Sequence, residues 1–309
     1  MLAYCLFSAK VVLLPQTNRI IMALPIDFIT RTRALLGEEF DRLEAALNAD
    51  VPVSIRINSM KGTPAPKAGA PVAWCESGFY LPERLSFTFD PLFHAGAYYV
   101  QEASSMFLEQ AIKAYVKEPV RCLDLCAAPG GKSFALAMEM KNEGSVTSCD
   151  IHAHKISLIE KGAARLGISI ITAREADASK FQEEFKDGFD VVVADVPCSG
   201  LGVISKKPDI KYKNIRDIAG LPEIQYSILA AASSCVRDGG ALVYSTCTLN
   251  PDENEAVFER FLREHADFVP DDFSVSVCRS RGGMYTFFPD GGESDGFFVA
   301  RAVKRKERS

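Results

Sequence analysis

The chain has 309 residues, 48% of them hydrophobic and 24% charged, with a formal net charge of -5. That length holds one large α/β domain or two modest ones, and the composition excludes wholesale disorder and a collagen-like chain. The acidic balance is not that of a generic polyanion binder, and an odd set of nine cysteines in so long a chain points to free thiols in a reducing compartment rather than to disulfide stapling.

No apolar run approaches the ~20 residues of a membrane span. The start lacks a basic n-region, and its longest apolar stretch, Val11 to Pro15, is too short for a signal peptide. A cytoplasmic protein is therefore expected. Met22 opens a better helical pattern, so residues 1–21 read as a non-native extension upstream of an ordinary start. From Ile26 to Leu47 apolar residues recur at helical spacing, and Gly37 splits the stretch into two helices. Val51 to Asn58 alternates like a strand, Lys61 to Pro71 is a turn-rich loop, and Trp74 to Phe89 holds more short strands. Glu102 to Val116 reads as one helix. Residues 22–115 thus form a small α+β module, and residues 116–309 a second domain. From Val120 onward short β-rich runs alternate with helical ones, the pattern of βαβ units in a doubly wound, mostly parallel sheet.

Ligands in such sheets bind beyond the carboxyl ends of the strands. The first of these loops is Asp124 to Ser133, where Gly130 and Gly131 let the backbone approach a ligand as the next helix begins. It is neither a GxGxxG nor a P-loop pattern. The second strand ends at Asp150, placed to accept hydrogen bonds from ribose hydroxyls. Asp177 follows the third strand, placed for an adenine amino group, and Asp195 ends the fourth. One such aspartate is commonly a helix cap; four in succession after a Gly-Gly turn point to a nucleoside cofactor. Cys198 and Cys247 stand in turns after neighbouring strands, so both thiols are expected in one cleft. Cys122, Cys149, Cys235 and Cys278 read as packing residues. No metal site is expected: Cys122 and Cys126 have no second pair at zinc spacing, and Cys122 lies within a strand run.

DLCAAPGGKS (124–133), DVPCSGLG (195–202) and YSTCTLNPDENE (244–255), in this order and spacing, resemble the Sun/Nop family of S-adenosylmethionine-dependent RNA cytosine-5 methyltransferases. The resemblance runs from about Phe28 to Lys304 and includes Arg56 in SIRIN, Gln101-Glu102, and the ending DGFFVARAVK. It implies a class I methyltransferase sheet with an antiparallel last strand, preceded by an RNA-recognition-like module. It implies Cys247 as the nucleophile, Cys198 as the cysteine that assists release, Asp195 as the carboxyl at the cytosine edge, and Lys132 beside them. Cys126, Ala127, Ala128, Pro129, Gly130, Gly131 and Lys132 match the methionine-side loop of the cofactor site, with Asp150, Asp177 and Asp195 completing it. The chemistry fits these residue types, because a thiolate adding to carbon 6 of cytosine makes carbon 5 nucleophilic. DNA cytosine-5 methyltransferases use the Pro-Cys cysteine instead, which would select Cys198; Thr246-Cys247-Thr248 favours the RNA arrangement.

Basic residues cluster after the Pro-Cys loop (Lys206, Lys207, Lys211, Lys213, Arg216) and at the C-terminus (Arg301, Lys304, Arg305, Lys306, Arg308). Either run can be a plain solvated face. Beside the catalytic loop, Lys206, Lys207, Lys211 and Lys213 are expected to meet phosphates, Tyr212 to stack on a base, and Arg56 to join the RNA-binding set. The reading is a monomeric methyltransferase acting on ribosomal RNA. Its rivals are a transfer RNA methyltransferase, a methyltransferase for another substrate, and a silent RNA-binding assembly factor.

Overall fold

The computed structural model describes residues 24–48, 53–213, 218–275, 278–289 and 294–306. The extension expected over residues 1–21 lies outside them, as do Arg216 and Arg308. Two helices come first, α1 (Ile26–Leu36) and α2 (Glu39–Asn48). Gly37 divides them as expected: it turns with φ +58°, and its N–H bonds back to Arg33 O. Phe28 and Phe40 from this pair pack on Leu201, Ile204 and Ile210, which follow Cys198 in sequence. The N-terminal helices therefore brace a loop of the C-terminal half.

Four short strands follow, β1 (Val53–Ile57), β2 (Ala70–Val72), β3 (Cys75–Leu81) and β4 (Tyr98–Val100), all antiparallel in the order β2-β3-β1-β4. That order matches the expected RNA-recognition-like sheet. Its crossover helices, however, are reduced to a 3-10 turn at Ser59–Lys61 and the single turn α3 (Pro91–His94). The helix expected over 102–116 is two short ones, α4 (Ala103–Met106) and α5 (Leu108–Ile112). Phe107 N bonds to Ser104 O three residues back, which tightens the turn and breaks the α-helical ladder. Phe107, Leu108, Ala111, Ile112 and Val116 all pack into the core of the larger sheet.

Arg56 is a correction. It was expected at RNA, but its side chain is 1% exposed. Nη1 pairs with Glu109 Oε2 at 2.7 Å and Nε donates to Gln101 Oε1 at 2.9 Å. The guanidinium is a buried strut between β1 and α5, and a desolvated, paired charge cannot also meet a phosphate.

The larger sheet begins with β5 (Arg121–Asp124), β6 (Ser145–Asp150), β7 (Ile171–Glu175), β8 (Phe189–Asp195) and β9 (Val236–Thr246), all parallel. After β10 (Phe268–Pro270), a two-stranded ribbon, β11 (Ser274–Val275) with β12 (Cys278–Arg279), stands apart. The last strands are β13 (Met284–Phe287) and β14 (Phe297–Lys304). The sheet order is β10-β14-β9-β8-β5-β6-β7, and β14 runs antiparallel to β9. This is a Rossmann-like methyltransferase sheet with its last strand reversed, as expected.

Helices α6 (Gly131–Glu139), α7 (Ala153–Leu166), α8 (Leu221–Ser233) and α9 (Glu255–Glu264) cover the two faces. Val191, Val193 and Val243 face one core with Phe134 and Ile159; Val192, Ala194 and Leu242 face the other with Leu229 and Phe258. Coverage on both faces is why FDVVVAD is a nearly continuous apolar run instead of an alternating one. The C-terminal basic run is partly structural: Arg301 is buried against Asp271 at 2.7 Å and Lys304 pairs with Asp187 at 2.6 Å. Among the described residues, no helix is long and apolar enough to cross a membrane.

Candidate active site

The parallel strands β5, β6 and β8 deliver Asp124, Asp150 and Asp195 to one edge of the sheet, and Asp177 lies two residues beyond β7. Asp124 is fully buried; its Oδ2 accepts from Ser133 Oγ at 2.7 Å, and Ser148 Oγ in turn donates to Ser133 Oγ at 2.7 Å. Burial pushes the Asp124 carboxyl up to about 7. This aspartate anchors the loop and start of α6 rather than meeting a ligand. Asp150 accepts from His152 N at 2.9 Å, with Lys155 Nζ at 3.6 Å. Asp177 accepts from Ser179 Oγ at 2.6 Å and pairs with Lys180 at 2.9 Å; these contacts hold its carboxyl down at about 2.

The Cys126 to Gly131 loop connects β5 to α6. Gly130 has φ +115°, and a Cβ there would lie 2.3 Å from the Phe134 ring, so only glycine makes this turn. A cavity of about 180 Å³ lies between this loop and β4, lined by Ala127, Ala128, Pro129, Gly131, Lys132 and Asp195 on one side. Tyr99, Gln101, Glu102 and Ser105 line the other. Burial holds the Cys126 thiol well above its ordinary range, which makes it inert.

Lys132 Nζ sits 2.6 Å from Asp195 Oδ2, and Ser245 Oγ donates to Asp195 Oδ1 at 2.7 Å. Burial works against the ammonium, but the Asp195 charge outweighs it, and Lys132 stays protonated well above its ordinary range. Next to this pair, Cys198 Sγ and Cys247 Sγ are 3.2 Å apart. The expectation that both thiols share one cleft is met in the geometry. The two are not equivalent. The Cys198 thiol is pushed up by its bond to Cys247, by burial and by the nearby Glu253 carboxylate. The Cys247 thiol is drawn down by the hydrogen bond from Cys198, against burial and Asp195, with Lys132 and Lys207 assisting.

The expected RNA contacts divide. Tyr212 is 59% exposed, and Lys207 is exposed as well. Lys211 is half-buried. Lys213 Nζ donates to Ser199 O at 3.1 Å, which ties the basic segment to the Pro-Cys loop. Lys206 is exposed, and its ammonium pairs with Asp295 at 2.7 Å, so a phosphate there would compete with that carboxylate. Among the described residues no three His, Cys, Asp or Glu side chains converge on a metal position.

Several site residues carry little local signal. Tyr99 and Ser105 line the cavity from the front module. Glu253, Asn254 and Gln225 are completely buried behind the two cysteines. Only the repeated polar run Asn250 to Glu255, which sits where a buried strand-to-helix turn must satisfy its own backbone, hinted at them.

Residues 112–303 match the family model described as 16S rRNA methyltransferase RsmB/F, and residues 24–103 match the N-terminal domain of 16S rRNA methyltransferase RsmF. The chain is 45% identical over 224 residues to a probable ribosomal RNA small subunit methyltransferase B of Bacillus subtilis, covering 69% of this chain and 49% of that protein. It is 33% identical over 302 residues to ribosomal RNA small subunit methyltransferase F of Citrobacter koseri, covering 91% of this chain and 63% of that one. The chain thus spans about half to two thirds of the length of these relatives. Among solved structures, a methyltransferase homolog protein from Pyrococcus horikoshii superposes with a TM-score of 0.72 at 27% identity, over 89% of this chain and 93% of its own. NSun6 from the same organism, solved with SFG, shares the fold with a TM-score of 0.74 at 18% identity, over 92% and 99% of the two chains. With more than half of its length matched by one family model, the chain belongs to the 16S rRNA methyltransferase RsmB/F family.

Proposed function

We propose that the chain transfers a methyl group from S-adenosylmethionine to carbon 5 of a cytosine in small-subunit ribosomal RNA, through a covalent bond to Cys247. The juxtaposition of two thiols 3.2 Å apart beside the Lys132–Asp195 pair carries this reading.

The residues present fit the cofactor. Asp150 offers an acceptor for a ribose diol and Asp177 one for an adenine amine, while the N–H groups opening α6 suit a carboxylate. When bound, S-adenosylmethionine supplies an electrophilic methyl group. Cys247, the more acidic thiol, adds to carbon 6 and forms the S–C6 bond. The electron pair displaced from the C5–C6 double bond is stabilised by a solvent proton taken up at ring nitrogen 3, and the Asp195 carboxylate, accepting a hydrogen bond from that N–H, favours the protonated ring. Lys132 holds Asp195 in place and adds positive charge beside the thiolate. After methylation a base removes the carbon-5 proton, the S–C6 bond breaks, and Cys198 assists release by sharing its proton with Cys247. Residues 22–115 act as the front module and 116–309 as the catalytic domain, with Lys207, Lys211, Tyr212 and Lys213 lying along the RNA path.

The test incubates the chain with methyl-labelled cofactor and unmodified small-subunit RNA, then maps 5-methylcytosine. The expected result is label at a discrete cytosine, none with Cys247→Ala, and a denaturation-resistant protein–RNA adduct with Cys198→Ala. An adduct trapped by Cys247→Ala, or label only in transfer RNA, overturns the assignment. Cofactor binding without transfer to any RNA supports the silent assembly factor instead.

A further inference from the structure

Glu253 and Asn254 are consecutive, lie just before α9, and are both completely buried. Asn254 grips both neighbours of one cysteine; Glu253 grips one neighbour of the other directly and the second through Gln225. Glu253 Oε2 accepts from Ser199 N at 2.8 Å and from Gln225 Nε2 at 2.9 Å, while the same Gln225 nitrogen donates to Pro197 O at 3.0 Å. The residues before and after Cys198 are therefore held by one carboxylate–amide pair. Asn254 Oδ1 accepts from Thr246 Oγ1 at 2.6 Å and its Nδ2 donates to Thr248 O at 3.0 Å. Those are the residues before and after Cys247.

The two grips are tied to each other. Ser199 Oγ and Thr248 Oγ1 are 2.7 Å apart, so the cysteine loops are linked across the cleft. Asn250 Nδ2 donates to Glu253 Oε1 at 3.0 Å, and Tyr244 OH to Glu253 O at 2.5 Å. The partners of the Glu253 carboxylate are N–H donors rather than a cation.

We infer that Glu253 and Asn254 are positioning residues that assign different tasks to the two thiols: Glu253, with Gln225, holds Cys198 as the protonated partner for release, and Asn254 aims Cys247 for addition. The inference rests on the two-thiol reading proposed above. Cys198 faces Glu253, Tyr244 and Cys247; Cys247 faces Lys132, Lys207, Asp195 and Cys198. Glu253 thus lies on the Cys198 side, and both ammonium groups, together with Asp195, lie on the Cys247 side.

Two measurements on the full chain test this. The first reads turnover and steady-state protein–RNA adduct with cofactor and small-subunit RNA. Glu253→Gln places an amide N–H against an N–H donor and removes the charge. It is expected to lower turnover on the order of ten-fold while raising the adduct. Gln225→Met, which frees Pro197 O but keeps the carboxylate, is expected to raise the adduct as well. Asn254→Ala is expected to lower turnover and adduct together. The second needs no RNA: iodoacetamide alkylation of each thiol is followed against pH by peptide mass spectrometry. Glu253→Gln is expected to move the Cys198 profile to lower pH and leave Cys247 near its original profile. Superimposable Cys198 profiles, or one shared adduct phenotype for the Glu253 and Asn254 variants, overturn the inference. If Cys198→Ala forms no adduct and yet the alkylation profiles separate as stated, the cytosine-5 reading falls and the positioning role stands.

Discussion

Lys132 Nζ lies 2.6 Å from Asp195 Oδ2, so the opening of α6 and the end of β8 are joined by a charge pair at the mouth of the cofactor-side cavity. Both side chains keep about a fifth of their surface in solvent. The pair is therefore poorly placed to add much stability, but well placed to fix a carboxyl against a reacting base. Lys132→Met is expected to lower kcat by at least ~100-fold, the typical loss for one preorganised charged group, with Tm within a few degrees of wild type. Single-turnover methylation and a thermal scan check both halves. An unchanged kcat would show that Asp195 needs no support.

Asp124 gives a pH signature. Its folded-state carboxyl is raised to about 7 by burial, whereas the unfolded value is near 3.8. Across that window the folded state holds a proton that the unfolded chain has lost, so stability falls as pH rises from about 4 to about 7, by ~1.4 kcal/mol per pH unit at most. Asp124→Asn keeps an acceptor for Ser133 and removes the titration. The prediction is that the Tm of the variant declines less steeply than that of wild type between pH 5 and 8. Parallel profiles would rule out a protonated Asp124 in the native protein.

Asp150 and Asp177 are predicted to act on cofactor binding alone. Removing the Asp150 carboxylate takes away charge-assisted hydrogen bonds to a diol, worth roughly 1.5–3 kcal/mol. Titration calorimetry of Asp150→Ala should show at least ten-fold weaker binding of S-adenosylmethionine. For Asp177→Ala the loss should be smaller. Because its carboxyl is held down at about 2, affinity in wild type should show no Asp177-linked decline between pH 7 and 4.

Arg56 and Lys207 should separate folding from RNA binding. Breaking the buried Arg56–Glu109 pair leaves a desolvated charge behind, which costs about 3–5 kcal/mol. Arg56→Ala should therefore lower the denaturant midpoint sharply, and the fraction still folded should bind RNA with an unchanged salt dependence. Lys207→Ala should leave the midpoint alone and make the slope of log K against log salt shallower by nearly one. An Arg56→Ala protein of normal stability would return that residue to the RNA surface.

The parts of the site that sit where a strand ends were readable because strand, turn and helix follow one another within a few residues. Asp150, Asp195, Gly130 and the two cysteines belong to that class. Arg56 was misread for a specific reason. It alternates with Ile55 along β1, and a charged residue on the second face suggests solvent; here that face is covered by α4 and α5, so Ser54 and Arg56 are both buried. The helix over 102–116 failed at Phe107, where one local turn outweighs the apolar spacing. The buried Glu253 network stayed invisible because its partners lie 28 and 54 residues away in sequence. No periodicity encodes such a pairing; it exists only once α8, β8 and β9 are assembled.

The reversed strand β14 adds a constraint in time. It pairs with the end of β9, Phe298 opposite Thr246 and Val299 opposite Ser245, one residue from Cys247. Gly296, at its start, donates to Gly202 O in the loop after Cys198. During synthesis both thiols emerge tens of residues before this strand, and until it arrives β9 has an open edge. On the two-thiol reading proposed above, a nascent chain therefore carries both sulfurs without the frame that aims them, and competence for chemistry is acquired only as residues 297–304 dock.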